Sequence, residues 1–154
     1  ETMTGGRLKK IAQYLDKNET FCFTYGDGLS DIDIKKLIDF HESHGKKATL
    51  SSVIPAGRFG VLEIDDNKVN KFIEKPNDDV NRINAGFFVL SSSVIDYIKD
   101  DNTVWENEPL EALAREGELM AFLHDGFWQP MDTLRDKNLL ENLWNNQKAP
   151  WKIW

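Results

Sequence analysis

Two aspartates are placed for metal chemistry. Asp27 closes the apolar run Phe21-Cys22-Phe23-Thr24-Tyr25-Gly26-Asp27-Gly28, and Asp132 follows Phe127-Trp128-Gln129-Pro130-Met131. Asp-Gly is a common turn pair, and an aspartate ahead of a helix is a common N-cap. A hairpin should follow such a turn, but the pattern after Asp27 reads as a helix. Carboxylates at two strand ends, brought together by a sheet, leave positions open for phosphate oxygens and suit Mg²⁺. Glu74-Lys75-Pro76 is either a charged loop start or a sugar-phosphate contact. In the second case Lys75 supplies a point charge and Glu74 accepts from sugar hydroxyls. Asn84-Ala85-Gly86 interrupts a strand of large residues, as happens at a bulge or where a ligand nears the backbone. Gly60, after Arg58-Phe59, is an ordinary loop glycine or a close contact to a sugar ring.

These residues need a scaffold. Leu8, Ile11, Ala12 and Leu15 recur at helical spacing, predicting a helix over about 7–16. A buried strand is expected over 20–25. Asp31 or Asp33 can cap a second helix with Ile34, Leu37, Ile38 and His41 on one face, stopped at His44-Gly45. Strands are expected over 48–54, over 60–64 and 69–74 as a hairpin around Asp65-Asp66-Asn67, over 83–90 and over 119–123. Short helices are expected near Val94–Ile98 and after Pro109. A last helix runs from Thr133 to about Asn145, with Leu140, Leu143 and Trp144 inward. This order implies an α/β fold with a mixed sheet, whose ligands sit beyond the carboxyl ends of the strands.

The 154 residues fit one domain able to bury a core. A net charge of −7 argues against a nucleic-acid partner, which would need a basic surface. It leaves room for one nucleotide triphosphate handled by a local basic cluster and Mg²⁺. No apolar run is long enough to span a membrane, and the opening Glu1-Thr2-Met3-Thr4-Gly5-Gly6-Arg7 lacks the apolar core of a signal peptide. The single cysteine, Cys22, cannot form an internal disulfide, and the cytoplasm is the default expectation. Cys22 is expected to be a small buried hydrophobe, and none of His41, His44 or His124 is assigned to catalysis. The aromatic tail Trp151-Lys152-Ile153-Trp154 either folds back on the core or makes an oligomer contact.

Taken together, these motifs resemble the sugar nucleotidyltransferases over essentially the whole chain. The resemblance rests on Thr4-Gly5-Gly6-Arg7-Leu8-Lys9, Phe23-Thr24-Tyr25-Gly26-Asp27-Gly28, Gly57-Arg58-Phe59-Gly60, Glu74-Lys75-Pro76 and Gly86-Phe87-Phe88-Val89. The run from Gly126 to Asp136 and the closing Lys148-Ala149-Pro150-Trp151-Lys152 are the more specific segments and are similar to the cytidylyl-transferring branch. The resemblance implies a Rossmann-like (GT-A-like) mixed sheet flanked by helices. It implies Mg²⁺-dependent transfer of a cytidylyl group from CTP to glucose 1-phosphate, giving CDP-glucose and pyrophosphate for dideoxysugar and O-antigen synthesis, in a homo-oligomer. By resemblance Asp27 and Asp132 are metal ligands, Lys75 is the catalytic sugar-phosphate contact, Glu74 binds glucose hydroxyls, and Gly60, Asn84 and Tyr25 line the sugar pocket. Gly5, Gly6 and Arg7 lie near the nucleotide.

One departure is large. Nothing here matches the Gly-rich loop with its essential Arg, followed by Lys-Pro, with which the family cradles the triphosphate. Residues 1–154 therefore read as the carboxyl-terminal portion of a catalytic domain, lacking the first strand and phosphate loop, and are expected to be inactive alone. Two alternatives stay open: transfer from dTTP or UTP to a sugar 1-phosphate, and a non-catalytic sugar-phosphate-binding domain that kept the fold.

Overall fold

The computed structural model describes residues 1–55, 61–73 and 82–154. Helix α1 (Thr4–Lys10) tightens into a 3₁₀ turn at Ile11–Tyr14 and leads to strand β1 (Thr20–Thr24) and the short β2 (Gly28–Ser30). Helix α2 (Ile34–His44) is followed by β3 (Ala48–Val53), the β4 (Val61–Asp65) and β5 (Lys68–Ile73) hairpin, and β6 (Ile83–Ser91). A 3₁₀ segment at Ser92–Tyr97, α3 (Glu108–Arg115), β7 (Leu119–His124), β8 (Trp128–Pro130) and α4 (Leu134–Asn145) complete the described elements.

The main sheet has the order β1-β6-β3-β7. β6 runs antiparallel to both β1 and β3, while β3 and β7 are parallel. The carboxyl ends of β1, β3 and β7 therefore share one edge of the sheet, with the start of β6 beside them. β6 is buried on both faces. Phe88 and Leu90 pack with Leu8, Val94, Ile98, Trp105 and Leu113, and Val89 packs with Ile32 and Leu37. The mixed α/β architecture expected from the order of elements is present. No helix among the described residues is long and apolar enough to cross a membrane.

Local chemistry explains the boundaries. Asp33, not Asp31, caps α2, its carboxylate accepting from the Lys36 amide at 3.1 Å. Gly45, in the left-handed region, ends that helix. In the hairpin, Asp66 and Asn67 both take positive φ (41° and 64°), as a tight turn matched to strand twist requires. Pro109 sits in the first turn of α3, where its missing amide costs nothing.

Three expectations need correction. β1 is not a buried strand but the edge of the main sheet, with Thr20, Cys22 and Thr24 exposed and Phe21 and Phe23 half-buried. Cys22 is consequently exposed rather than a core hydrophobe. Its thiol borders an apolar groove with Ile34, Leu37 and Phe87, and the partial desolvation pushes its pKa up. Trp144 does not face inward: it is exposed, Leu140 alone of the three expected residues is buried, and the Lys152 ammonium lies over the Trp144 ring at 5.0 Å. The tail folds back through Trp151, whose ring lies 5.5 Å from that of Phe127, and leaves Ile153 and Trp154 exposed.

Candidate functional site

β2 and β8 pair antiparallel outside the main sheet, with Gly28 opposite Pro130 and Ser30 opposite Trp128. Asp27 immediately precedes β2, and the pairing continues one step past the strands: the Met131 amide donates to the Asp27 carbonyl at 2.8 Å. Asp132 is the next residue. The two aspartates, distant in sequence, thus sit at the same end of one two-stranded arm, and both are exposed. Asp132 is not the N-cap of α4. That role belongs to Thr133, which forms a reciprocal capping box with Asp136. The Asp132 carboxylate is therefore not committed to the helix.

Beside Asp27 lies a cleft of about 410 Å³ lined by Thr4, Arg7, Phe23, Tyr25 and Glu106 among others. Gly5 and Gly6 do not line it. They are buried where α1 crosses the 101–103 segment: a Cβ on Gly5 would come 2.7 Å from the Thr103 carbonyl oxygen, and one on Gly6 would overlap that of Asp101. The pair lets the helix lie directly on that backbone, and this carries Arg7, whose Nε donates to the Thr2 carbonyl, to the cleft.

Tyr25 and Asn84 are brought together. The Asn84 amide donates to the Tyr25 hydroxyl at 3.3 Å, and its carbonyl oxygen accepts from the Gly86 amide at 2.9 Å. The group that approaches the small residues of β6 is the Tyr25 ring. Gly86 has φ +81°, and a Cβ there would lie 2.5 Å from a ring carbon of Tyr25. The register against β3 jumps from Leu50↔Phe88 to Ser52↔Asn84, so β6 bulges at 85–87. The Tyr25 hydroxyl is pushed well above its ordinary pKa, first by burial and then by the Glu106 carboxylate, with Asn84 pulling the other way.

Glu106 escaped the sequence reading. It accepts from the Thr4 hydroxyl at 2.7 Å and lines the cleft with Thr4 and Tyr25, near enough to Tyr25 for its carboxylate to raise that hydroxyl's pKa. Nothing in Val104-Trp105-Glu106-Asn107-Glu108 distinguishes it from a solvated loop acid. Gly60, Glu74 and Lys75 lie outside the described residues. Among the described residues no group of three or more His, Cys, Asp or Glu side chains is arranged to hold a metal. Two exposed carboxylates at adjoining strand ends are still a donor set of hard oxygens that fits Mg²⁺, which typically takes one or two carboxylates and completes its shell with water and phosphate.

The chain is similar to known proteins over nearly its whole length. It is 62% identical over 153 residues to the glucose-1-phosphate cytidylyltransferase of Salmonella typhi, a match covering 99% of this chain and 60% of that protein. It is 37% identical over 144 residues to the mannose-1-phosphate guanyltransferase of Saccharomyces cerevisiae, covering 89% of this chain and 39% of that one. The crystal structure of HddC from Yersinia pseudotuberculosis superposes with a TM-score of 0.63 at 26% identity, covering 99% of this chain and 63% of that chain. The chain thus spans about 60% of the length of the Salmonella relative. Residues 4–136, from α1 through the Asp27 and Asp132 arm to the first turn of α4, match the family model for nucleotidyl transferases, and the chain belongs to that family.

Proposed function

We propose that these residues form the sugar-phosphate and metal-binding part of an enzyme that transfers a cytidylyl group from CTP to glucose 1-phosphate. The observation that carries the reading is the Met131–Asp27 hydrogen bond, which brings the Asp27 and Asp132 backbones together at one end of the arm, with Asp27 lining the Arg7 cleft. The similarity to the Salmonella cytidylyltransferase supports cytidine over thymidine or uridine.

In this reading a phosphate oxygen of glucose 1-phosphate attacks the α-phosphorus of CTP in line. The new P–O bond forms as the bond to pyrophosphate breaks, with no covalent enzyme intermediate. Asp27 and Asp132 hold Mg²⁺, which when bound neutralises phosphate charge. Arg7 faces the nucleotide, and Gly5 and Gly6 serve it by seating α1. Lys75 contacts the sugar phosphate, Glu74 the glucose hydroxyls, and Gly60 and Asn84 the ring. Tyr25 holds Asn84 in place. Catalysis is then positioning and charge neutralisation.

The triphosphate is held, on this proposal, by residues outside these 154, which add a strand beside β1, an edge strand among the described residues, and cover the apolar groove at Cys22. The isolated chain should give no turnover. The protein is also proposed to work in the cytoplasm as a homo-oligomer, with Ile153 and Trp154 at a contact between copies. Deleting residues 150–154 and measuring sedimentation tests that point.

The deciding experiment is pyrophosphate release by the full-length protein with glucose 1-phosphate and CTP, UTP, dTTP or GTP in turn, with Mg²⁺ present. CTP should lead. A preference for another base overturns the cytidylyl assignment. Full activity in an Asp27→Asn variant overturns the metal assignment.

A further inference from the structure

The geometry points to His124 as a positioning residue for the two aspartates: through Asp31 and Phe127 it fixes the pairing of β2 with β8, and so the spacing of Asp27 and Asp132 at the other end of the arm. This rests on the metal reading of that pair.

The arm is a weak element by itself. It has three paired positions and, among the described residues, no third strand, and a two-stranded pair of that length does not hold its register alone. A slip of one residue would turn every side chain of one strand to the opposite face and change which residues stand opposite Asp27 and Asp132. Something at the closed end must therefore fix the register.

That end is tied densely. The Asp31 amide donates to the Phe127 carbonyl at 3.2 Å, and the Ser30 hydroxyl donates to the same oxygen at 2.8 Å. His124 Nε2 lies 3.0 Å from Asp31 Oδ1, 3.2 Å from Ser30 Oγ and 3.3 Å from the Phe127 carbonyl oxygen. Since the Ser30 hydroxyl is already spent on Phe127, all three atoms around Nε2 are acceptors. Nε2 therefore carries a hydrogen in either charge state of the ring. Gly126 completes the tie. A Cβ there would overlap Asp31 Oδ1 and come 2.7 Å from the imidazole, so ring and carboxylate fill the space a side chain would need.

His124 is itself part of the main sheet. It is the last residue of β7, opposite Val53 of β3. The Arg82 guanidinium spans the carbonyls of Ser52 and His124 at 3.1 and 3.5 Å and pairs with Asp125. His124 thus transmits the position of the rigid sheet to the arm. Trp128 adds a second tie, its indole N–H donating to the Ala85 carbonyl at 2.9 Å.

The test compares the wild-type protein with His124→Ala and His124→Gln, the latter keeping an N–H near the place of Nε2. Amide hydrogen exchange at Met131 reports the far end of the arm, and Mn²⁺ binding followed by electron paramagnetic resonance reports the aspartate pair. In His124→Ala, Met131 exchange should rise about tenfold or more while β6 amides stay protected. Mn²⁺ affinity should fall about ten- to a hundredfold. His124→Gln should restore both to within a few-fold. Unchanged Met131 exchange in His124→Ala overturns the proposal, as does a rise that glutamine does not reverse. If His124→Ala loosens β6 as well, the glutamine variant alone decides. If the wild type binds no Mn²⁺ while Met131 exchange follows the three proteins as expected, the metal reading falls and the role of His124 in spacing the carboxylates stands.

Discussion

Met131 and Asp27 are joined backbone to backbone at 2.8 Å, one step beyond the last strand pair of the β2–β8 arm. That single bond makes neighbours of two segments that the sequence separates widely. Asp27 and Asp132 are exposed, so neutralising either should leave the fold intact. Asp27→Asn and Asp132→Asn should each cut Mg²⁺-dependent turnover of the full-length protein by about a hundredfold or more. Thermal melting should be nearly unchanged. Steady-state kinetics alongside a melting curve checks both halves, and a large loss of stability would mean that the carboxylates serve the fold instead.

Gly86 should tolerate no side chain. Its φ of +81° and the Tyr25 ring, 2.5 Å from where a Cβ would stand, act in the same direction. Gly86→Ala should cost about 1–3 kcal/mol in urea unfolding. Tyr25→Ala removes the ring and leaves the backbone demand. The double variant should therefore be less destabilised than the sum of the singles, a coupling that a double-mutant cycle reads directly.

Much of the scaffold was legible because its signals are local. Asp33 and Gly45 bound α2, Asp66-Asn67 turn the hairpin, and Pro109 opens α3, each by backbone chemistry within a few residues. The convergence of Asp27 with Asp132 was legible as an expectation, since strand ends share an edge in such sheets. The arm that achieves it was not. β2 and β8 are three residues each, too short for any periodicity to show. Cys22 was misjudged because an apolar run looks alike on an edge strand and on a central one. Glu106 and His124 were invisible for a different reason: each acquires its partners, Thr4 and Asp31, only through tertiary packing.

Thr133 and Asp132 are adjacent yet should respond oppositely to truncation. Thr133 holds both halves of the capping box with Asp136, its hydroxyl accepting from the Asp136 amide at 3.2 Å. Thr133→Ala should cost about 1 kcal/mol of stability and Thr133→Ser almost nothing. Asp132→Ala should leave the unfolding midpoint where it was. Equal losses for the two alanine variants would return Asp132 to a capping role.

Thr49 links two histidines at the junction of α2 and β3, and the linkage should make the protein acid-sensitive. The Lys46 amide donates to His44 Nδ1 at 2.9 Å, so the hydrogen of neutral His44 sits on Nε2, which faces Thr49 Oγ1 at 2.8 Å. The Thr49 hydroxyl can then donate to His41 Nδ1 at 2.9 Å. This chain of bonds requires both rings neutral. Burial, together with the charge of His44, holds His41 below its ordinary pKa of 6.5. His44 is lowered by burial and by Lys46, against a weaker opposing pull from Glu118. The unfolded chain therefore binds more protons than the native one below that pH. Stability is fully present above 6.5 and falls as the pH drops through the depressed native values. Urea midpoints measured from about pH 8 down to about pH 5 should decline in the lower half of that range. His44→Asn, whose side-chain oxygen can still accept from Lys46, should flatten the decline. Thr49→Val should cost about 1–3 kcal/mol at neutral pH by leaving both rings without their shared partner. A wild-type midpoint that holds steady down to about pH 5 would show that the two rings protonate in place without strain on the fold.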